Sequence, residues 1–455
     1  MPTVDHKNSF VRLVSAFSFQ PEDFERLTKA VEKTDEWKPS ALKEHHNDEL
    51  EPDVLGFLSS DQFRHWKMDD KPLLKKDVIN GQKWHFQSGR KREPHPVKLR
   101  GVELVLSGHG FGAVAFAFQP GGADFEEWLR FLCISRMKRK DTGFMVKVKV
   151  GEKPRYVPGS PEGGPFVRLS DCVEALLRSV GLCDEEASSS TMCSYDRFGP
   201  KGKMIPFFGM SVRDCPVDQM EHIRFQIARM MVNLKLAEPS PKELDGSSDT
   251  YRQVARHSWC VGTASSIGYV SINSESERWR VEMLSRMNGV GWRLFLLGLQ
   301  QRVVLQQLSK QVGASWDSAN ARKVFLSAKV RLNRFMTAGY FPQATAQKPE
   351  FSELYGLVMH HFSVESAYRR VRDEVASLHA HHNDEHSQDL DDLVKMIGVP
   401  FALASFVLAI LGVNIQDWTA GTGEGLQWIS VFAWTLGSIA FGFGGSWLWH
   451  RRFSA

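Results

Sequence analysis

The chain has little that would mark it for secretion, for catalysis or for nucleic acid. Among 455 residues there are only six cysteines, Cys133, Cys172, Cys183, Cys193, Cys215 and Cys260. No two of them form a C-x-x-C pair, and none has metal-ligand spacing. They exclude a disulfide framework and a cysteine-based zinc site, and read as reduced structural thiols of a cytosolic body. Charge of either sign is not in excess: 57 Lys and Arg face 53 Asp and Glu, a net charge of +4. That is too little to argue for a nucleic-acid partner. The local basic cluster Arg136-Met137-Lys138-Arg139-Lys140 is open to two readings, a solvated helix end or a phosphate contact. The N-terminus, MPTVDHKNSF, has neither the apolar core of a signal peptide nor the character of a transit peptide. No nucleophile, base and acid stand together as a set, so the expectation is of a protein that is not an enzyme. Gly108-His109-Gly110-Phe111-Gly112 is glycine-rich but lacks the spacing of a phosphate loop, and reads as a hairpin turn.

What is present lies first at the C-terminal end. Two runs carry no charge, Met396–Val413 and Leu426–Trp449. A membrane span needs roughly 20 apolar residues. Leu393 and Val394 extend the shorter run, with Lys395 able to snorkel. Both runs are expected to cross a bilayer. Lys395 precedes the first, and His450-Arg451-Arg452 closes the second, whereas the loop Asn414–Gly425 holds no Lys or Arg. The positive-inside rule then gives a multi-pass protein of the cell inner (plasma) membrane with both termini cytoplasmic. Trp418, Trp428, Trp447 and Trp449 sit where an aromatic belt would.

The body before these runs divides by pattern. Residues 1–95 are polar and show little periodicity, with weak helical stretches at Pro21–Glu32 and Asp61–Trp66. Residues 96–274 read as a cytosolic α/β domain. Within it, Val102–Leu106 and Gly112–Gln119 form a hairpin, Asp124–Met137 and Val167–Arg178 are helices, and Ser258–Ile272 is strand-like. Residues 275–395 read as a helical bundle and stalk: Trp279–Gln311, Ala319–Thr337 and a proline-free stretch Phe351–Ile397 leading into the first span. On that stretch Val364, Tyr368, Val371, Val375 and Leu378 follow coiled-coil spacing. The seam continues into His382, Glu385, Asp389 and Asp392. It is either a face turning to solvent or a cation-attracting vestibule formed where several copies surround an axis. Residues 396–455 are the membrane hairpin. The expected architecture is therefore an α+β cytosolic domain, a long helical stalk and two C-terminal transmembrane helices.

Two helices cannot enclose a water-filled path, so transport would require an oligomer. Gly398, Ala402, Ser405, Ala409 and Gly412 make a small-residue stripe on the first span. Such a stripe packs helices closely or lines a narrow pore. Extended into the stalk, it passes near Asp391. At the outer end, a ring of Asn414 amides could hold the hydration shell of a divalent ion. Gly412 permits close approach there, and Asp417 and Glu424 would raise the local cation concentration.

Two C-terminal spans, Gly412-Val413-Asn414 at the outer end of the first, a short acidic loop and a long helix leading in resemble the CorA-like superfamily of divalent cation channels, including its ZntB branch. The family signature is Gly-Met-Asn, usually between Tyr and Phe. Here Leu411-Gly412-Val413-Asn414-Ile415 keeps Gly and Asn and departs at the other positions. The resemblance covers roughly 275–455 and implies a funnel-shaped homopentamer. It implies a selectivity filter of Gly412, Val413 and Asn414, and a pore lined by Gly398, Ala402, Ser405, Ala409 and Asp391. The cargo or regulator would be a divalent metal ion, of Mg, Co, Ni or Zn type. The segment Val102–Phe118 followed by the helix from Asp124 is more similar to divergent bacterial members. Some of those are second-messenger-gated effectors of phage defence, which implies a nucleotide-like ligand at the cytosolic domain as the alternative function. In His381-His382-Asn383-Asp384-Glu385-His386, His382 and His386 lie four apart and could hold a transition metal, or form a solvated polar face. A similar string, His45-His46-Asn47-Asp48-Glu49, reads as coincidence.

Overall fold

A computed structural model describes residues 2–34, 37–40, 49–68, 84–88, 95–135, 142–146, 169, 173, 176–178, 196–197, 204–229, 249–263, 266–274, 276–315, 321–345, 348–378 and 380. The chain divides into two units, Met1–Arg372 and Asp373–Ala455. In the second unit the described residues, 373–378 and 380, are helical.

Among the described residues, the first unit is built on one sheet of thirteen strands. They are β1 (Thr3–Val4), β2 (Phe10–Ser18), β3 (Lys38–Pro39), β4 (Phe63–Met68), β5 (Trp84–Ser88), β6 (His95–Ser107), β7 (Phe111–Pro120), β8 (Thr142–Val146), β9 (Asp196–Arg197), β10 (Ile205–Arg213), β11 (Tyr251–Ala255), β12 (Ser258–Thr263) and β13 (Ser266–Ile272). The main path runs β11-β12-β13-β10-β2-β7-β6-β4-β3. The β10–β13 pair is parallel, with Phe207 beside Ile267, and the other pairs are antiparallel. The central strands are covered on both faces, so β2 and β10 are buried along almost their whole length.

Side chains two apart on a strand share a face, and each face has its own helical cover. Val11, Leu13 and Phe17 of β2, with Phe208, Met210 and Val212 of β10, belong to a buried cluster. That cluster includes Leu27 and Val31 of α1 (Phe24–Glu32) and Trp128, Leu129 and Leu132 of α3 (Phe125–Ser135). Helix α2 (Pro52–Leu58) lies between α1 and β4 in the chain, and α4 (Met220–Arg229) follows β10. On the opposite face Phe207 meets Trp292 and Phe295, with ring centroids 5.7 and 5.1 Å away. Both belong to α6 (Trp292–Ser315). Burying an aromatic side chain of this size is worth about 1.5–3 kcal/mol. Many such residues on two faces make the sheet the mechanical centre of the unit.

The helical cover begins at α5 (Glu277–Arg286), where Ser276 Oγ caps the N-terminus by accepting the Trp279 amide at 3.2 Å. A π-helical turn, Met287–Gly291, joins α5 to α6. Gly289 and Gly291 weaken the helix there, and the wider turn changes the face presented to the sheet. Helices α7 (Ala321–Ala338) and α8 (Pro349–His361) follow. The long helix expected over Phe351–Ile397 is interrupted: Ser363 takes φ 51° and separates α8 from α9, residues 364–378. Phe362 turns inward to meet Phe295 at 5.7 Å, and the Ser363 carbonyl accepts the Ala367 amide at 3.0 Å to start α9. Val364 and Val371 of the expected seam are buried within a single chain. Asp61–Trp66, expected as helix, instead leads into β4, which pairs with β6 from Phe63 to Met68 and buries Phe63, Trp66 and Met68.

The expected architecture of stalk, funnel and two transmembrane helices is corrected accordingly. The described chain is a mixed sheet covered by helices, and among the described residues no helix is long and apolar enough to cross a membrane. The membrane and channel description, and the multi-pass placement in the inner membrane, are therefore not supported. The two uncharged runs on which they rested, Met396–Val413 and Leu426–Trp449, lie outside the described residues.

Candidate functional site

A cleft of about 1030 Å³ opens where α2, the β6–β7 turn, the end of α7 and the segment after it meet. The turn comes first. Ser107 and Phe111 are paired, leaving Gly108-His109-Gly110 as the connection, and the Gly110 amide bonds Ser107 O at 2.9 Å. Gly110 sits at φ 85°, where a Cβ would lie 2.4 Å from Phe19 O. Only glycine fits there. The glycine-rich string is thus the hairpin turn its spacing suggests, and it also carries His109 into the cleft.

His109 is 5% exposed. Its ring stacks on Phe57 of α2 at 5.8 Å and meets the edge of Phe335 of α7 at 5.6 Å. Gly339 is required beside it, since a Cβ there would come within 2.7 Å of His109 Nε2. Nε2 itself makes no well-formed hydrogen bond. Burial holds the imidazole down to about 4, reinforced by Arg334 and Arg331 and opposed by the Ala338 backbone. The ring is therefore neutral at pH 7.

Two arginines of α7 complete this wall. Arg331 Nη2 donates to His109 O at 3.1 Å and to Gln307 Oε1, and Nη1 donates to Gln311 Oε1 at 3.3 Å. Gln307 in turn donates to Phe19 O at 3.0 Å. This links the turn, the end of β2, α6 and α7. Burial lowers the Arg331 guanidinium to about 10, with Glu22 acting in the opposite direction. Arg334 lies on the exposed rim, its Nη2 donating to Gln62 Oε1 at 3.3 Å. Aromatic side chains, Phe57, Tyr340 and Phe341, form the remaining apolar lining, and Glu51 and Asp53 stand on the α2 side. Tyr340 also stacks on Tyr368 of α9, centroids 4.9 Å apart at 27°.

A second polar cluster is buried under α6. Arg12 Nε and Nη2 donate to Glu103 Oε1 at 3.2 and 3.1 Å, and His65 Nε2 lies 3.2 Å from Glu103 Oε2. Trp292 Nε1 donates to the same oxygen at 2.8 Å, and Arg12 Nη1 donates to Asn288 Oδ1. The π turn places Asn288 and Trp292 for these contacts. Burial alone would raise the Glu103 carboxyl, but Arg12 and His65 outweigh it and hold the group well below the usual carboxylate range. With Arg12 also over the Trp292 ring at 4.8 Å, the cluster ties the sheet to α6.

The candidate channel and metal residues read from the sequence fall on undescribed parts of the chain. Gly398, Ala402, Ser405, Ala409, Gly412, Val413, Asn414, Asp417, Glu424 and Asp391 lie outside the described residues, as do His382 and His386. Among the described residues no group of three or more His, Cys, Asp or Glu is placed to hold a metal ion. Of the string His45–Glu49, only Glu49 is described; it accepts from Arg286 Nε at 2.8 Å. Cys133, Cys215 and Cys260 are buried, and burial pushes the Cys260 thiol far up.

Compared with models of protein families, with curated proteins and with solved structures, the chain shows no match.

Proposed function

We propose that Met1–Arg372 is a small-molecule-binding body. Its cleft between α2, the His109 turn and the end of α7 takes a planar heterocycle bearing an anionic group, a ligand of the nucleotide kind. The observation that carries this reading is the lining of the cleft of about 1030 Å³, which sets the rings of Phe57, Tyr340 and Phe341 beside the neutral His109 and the Arg334 guanidinium. Ligand pockets combine apolar walls with a few placed polar groups. Phe57, Tyr340 and Phe341 offer stacking faces, and Arg334 a cation for the charged group. Glu51 and Asp53 suit sugar hydroxyls, which donate to carboxylates. The response to the ligand runs through Tyr340, whose stack on Tyr368 joins the cleft to α9. The expectation of cation transport rests on a filter, a pore stripe and membrane spans that lie beyond the described residues, and nothing in the cleft adds to it.

Thermal unfolding of the full chain with AMP, cyclic AMP, ATP and NAD tests the reading. A ligand present at 100 times its Kd stabilises the folded form by about 2.7 kcal/mol. At least one of the four is expected to raise the melting temperature of the wild type and to lose most of that effect in Arg334→Ala. If none stabilises the chain at millimolar concentration, the nucleotide assignment is wrong.

A further inference from the structure

The cleft beside His109 is short of the groups that hold a chain of phosphates. Such chains are cradled by runs of backbone N–H groups backed by cations. The β6–β7 turn comes nearest to a loop of that kind, and its three amides are already used. Gly108 N donates to Gln62 O at 2.8 Å, His109 N to Ser107 Oγ at 3.4 Å and Gly110 N to Ser107 O at 2.9 Å. Elsewhere around the cleft, Phe341 N donates to Gln301 Oε1 at 3.4 Å and Glu51 N to Ala344 O at 3.0 Å.

Positive charge is equally scarce. Among the described residues that line the cleft, Arg334 is the one charged cation, and Glu51 and Asp53 oppose it. His109 is neutral, since burial holds it at about 4, and burial raises the Tyr340 phenol. Arg331 stands behind the wall, its terminal nitrogens turned to His109 O, Gln307 Oε1 and Gln311 Oε1. Counted with it, two guanidinium groups meet two carboxylates and the formal charges only cancel. A guanidinium has five N–H donors, of which the bond from Arg334 to Gln62 Oε1 uses one. Arg334 can therefore hold one phosphate through a bidentate pair. Each further phosphate would enter a cleft whose remaining lining charges are the carboxylates at the start of α2.

We infer that the cleft selects a nucleotide with a single phosphate and discriminates against di- and triphosphates, with Glu51 and Asp53 as the specificity-determining residues. This rests on the nucleotide reading of the same cleft. The two carboxylates then act twice, accepting from the sugar hydroxyls and repelling additional phosphate.

Isothermal titration of AMP, ADP and ATP into the full chain tests the selection, without magnesium, which binds phosphates and would offset their charge. AMP is expected to bind tightest and ATP at least tenfold more weakly, with ADP between them. In Glu51→Gln/Asp53→Asn the gap between AMP and ATP should shrink to threefold or less. Amides still accept from hydroxyls, and AMP and ATP share the ribose, so the ratio isolates charge. Neither carboxylate caps α2 or makes a described side-chain bond, so the double variant should fold. Raising salt from about 0.05 to about 0.5 M should narrow the same gap in the wild type, because screening weakens the repulsion. ATP binding as tightly as AMP would overturn the selection and leave the nucleotide reading standing. A gap unchanged both in the double variant and in high salt would overturn the role of Glu51 and Asp53. Absence of binding by all three, and by cyclic AMP and NAD, would overturn the nucleotide reading and this inference with it.

Discussion

His109 contributes one share of this protein's acid sensitivity. Its folded-state value is lowered from 6.5 to about 4. Between those values the unfolded chain binds a proton that the folded chain excludes, so stability falls as pH falls. The contribution is complete above about 6.5 and is lost progressively down to about 4, amounting to about 3 kcal/mol. Urea unfolding at pH 7.5 and pH 4.5 should show a loss of this order in the wild type that is much smaller in His109→Gln. At the buried cluster, Glu103→Gln leaves Arg12 and His65 facing no carboxylate. Breaking a buried pair from one side costs about 3–5 kcal/mol, and a melting temperature within 2 °C of wild type, roughly the shift that 1 kcal/mol gives in a large domain, would refute that role for Glu103. Neither residue could be weighted correctly from the sequence. His109 reads as part of a turn, and Arg12 as one charge in a polar stretch; their importance comes from what folds over them.

At the scale of elements, local pattern was a good guide where one face is buried and a poor one where both are. Helices α1, α3 and α7 and the β6–β7 hairpin fall close to where periodicity places them. Strand β2 was not legible because it lies mid-sheet: eight of its nine residues are buried, so no alternation survives. The break at Ser363 was hidden as well, since neither glycine nor proline marks it. It arises from Phe362 docking on Phe295, a tertiary contact that overrides the helical run. The strain there is testable. Ser363→Gly relieves a left-handed φ of 51° and should stabilise the chain by about 0.5–1 kcal/mol. Destabilisation in urea titrations would mean that the residue is not held in that region. The reverse is expected at the β6–β7 turn. Gly110→Ala drives a methyl against Phe19 O and should cost about 2 kcal/mol or more.

For the whole molecule, the cleft gathers residues from distant segments: 51–62, His109, and 334–343. No spacing rule in a single sequence joins them, so a site of this kind emerges only when the sheet brings the β6–β7 turn beneath α7. The metal-filter reading, in contrast, was drawn from contiguous motifs after Asp391, all beyond the described residues. The central claim is that the cleft is a ligand site, and Gly56 provides a way to close it. Gly56 lines the cleft from α2, and a Cβ there meets nothing within 4 Å. Gly56→Ala should therefore stabilise the helix by up to about 1 kcal/mol, whereas Gly56→Trp should fill the cleft while the chain still folds. The most direct measurement is isothermal titration of the most stabilising of the four nucleotides into wild type, Gly56→Ala and Gly56→Trp. Occupation of the cleft predicts saturable one-to-one binding in wild type and Gly56→Ala, and its loss in a folded Gly56→Trp; undiminished binding by Gly56→Trp would contradict it.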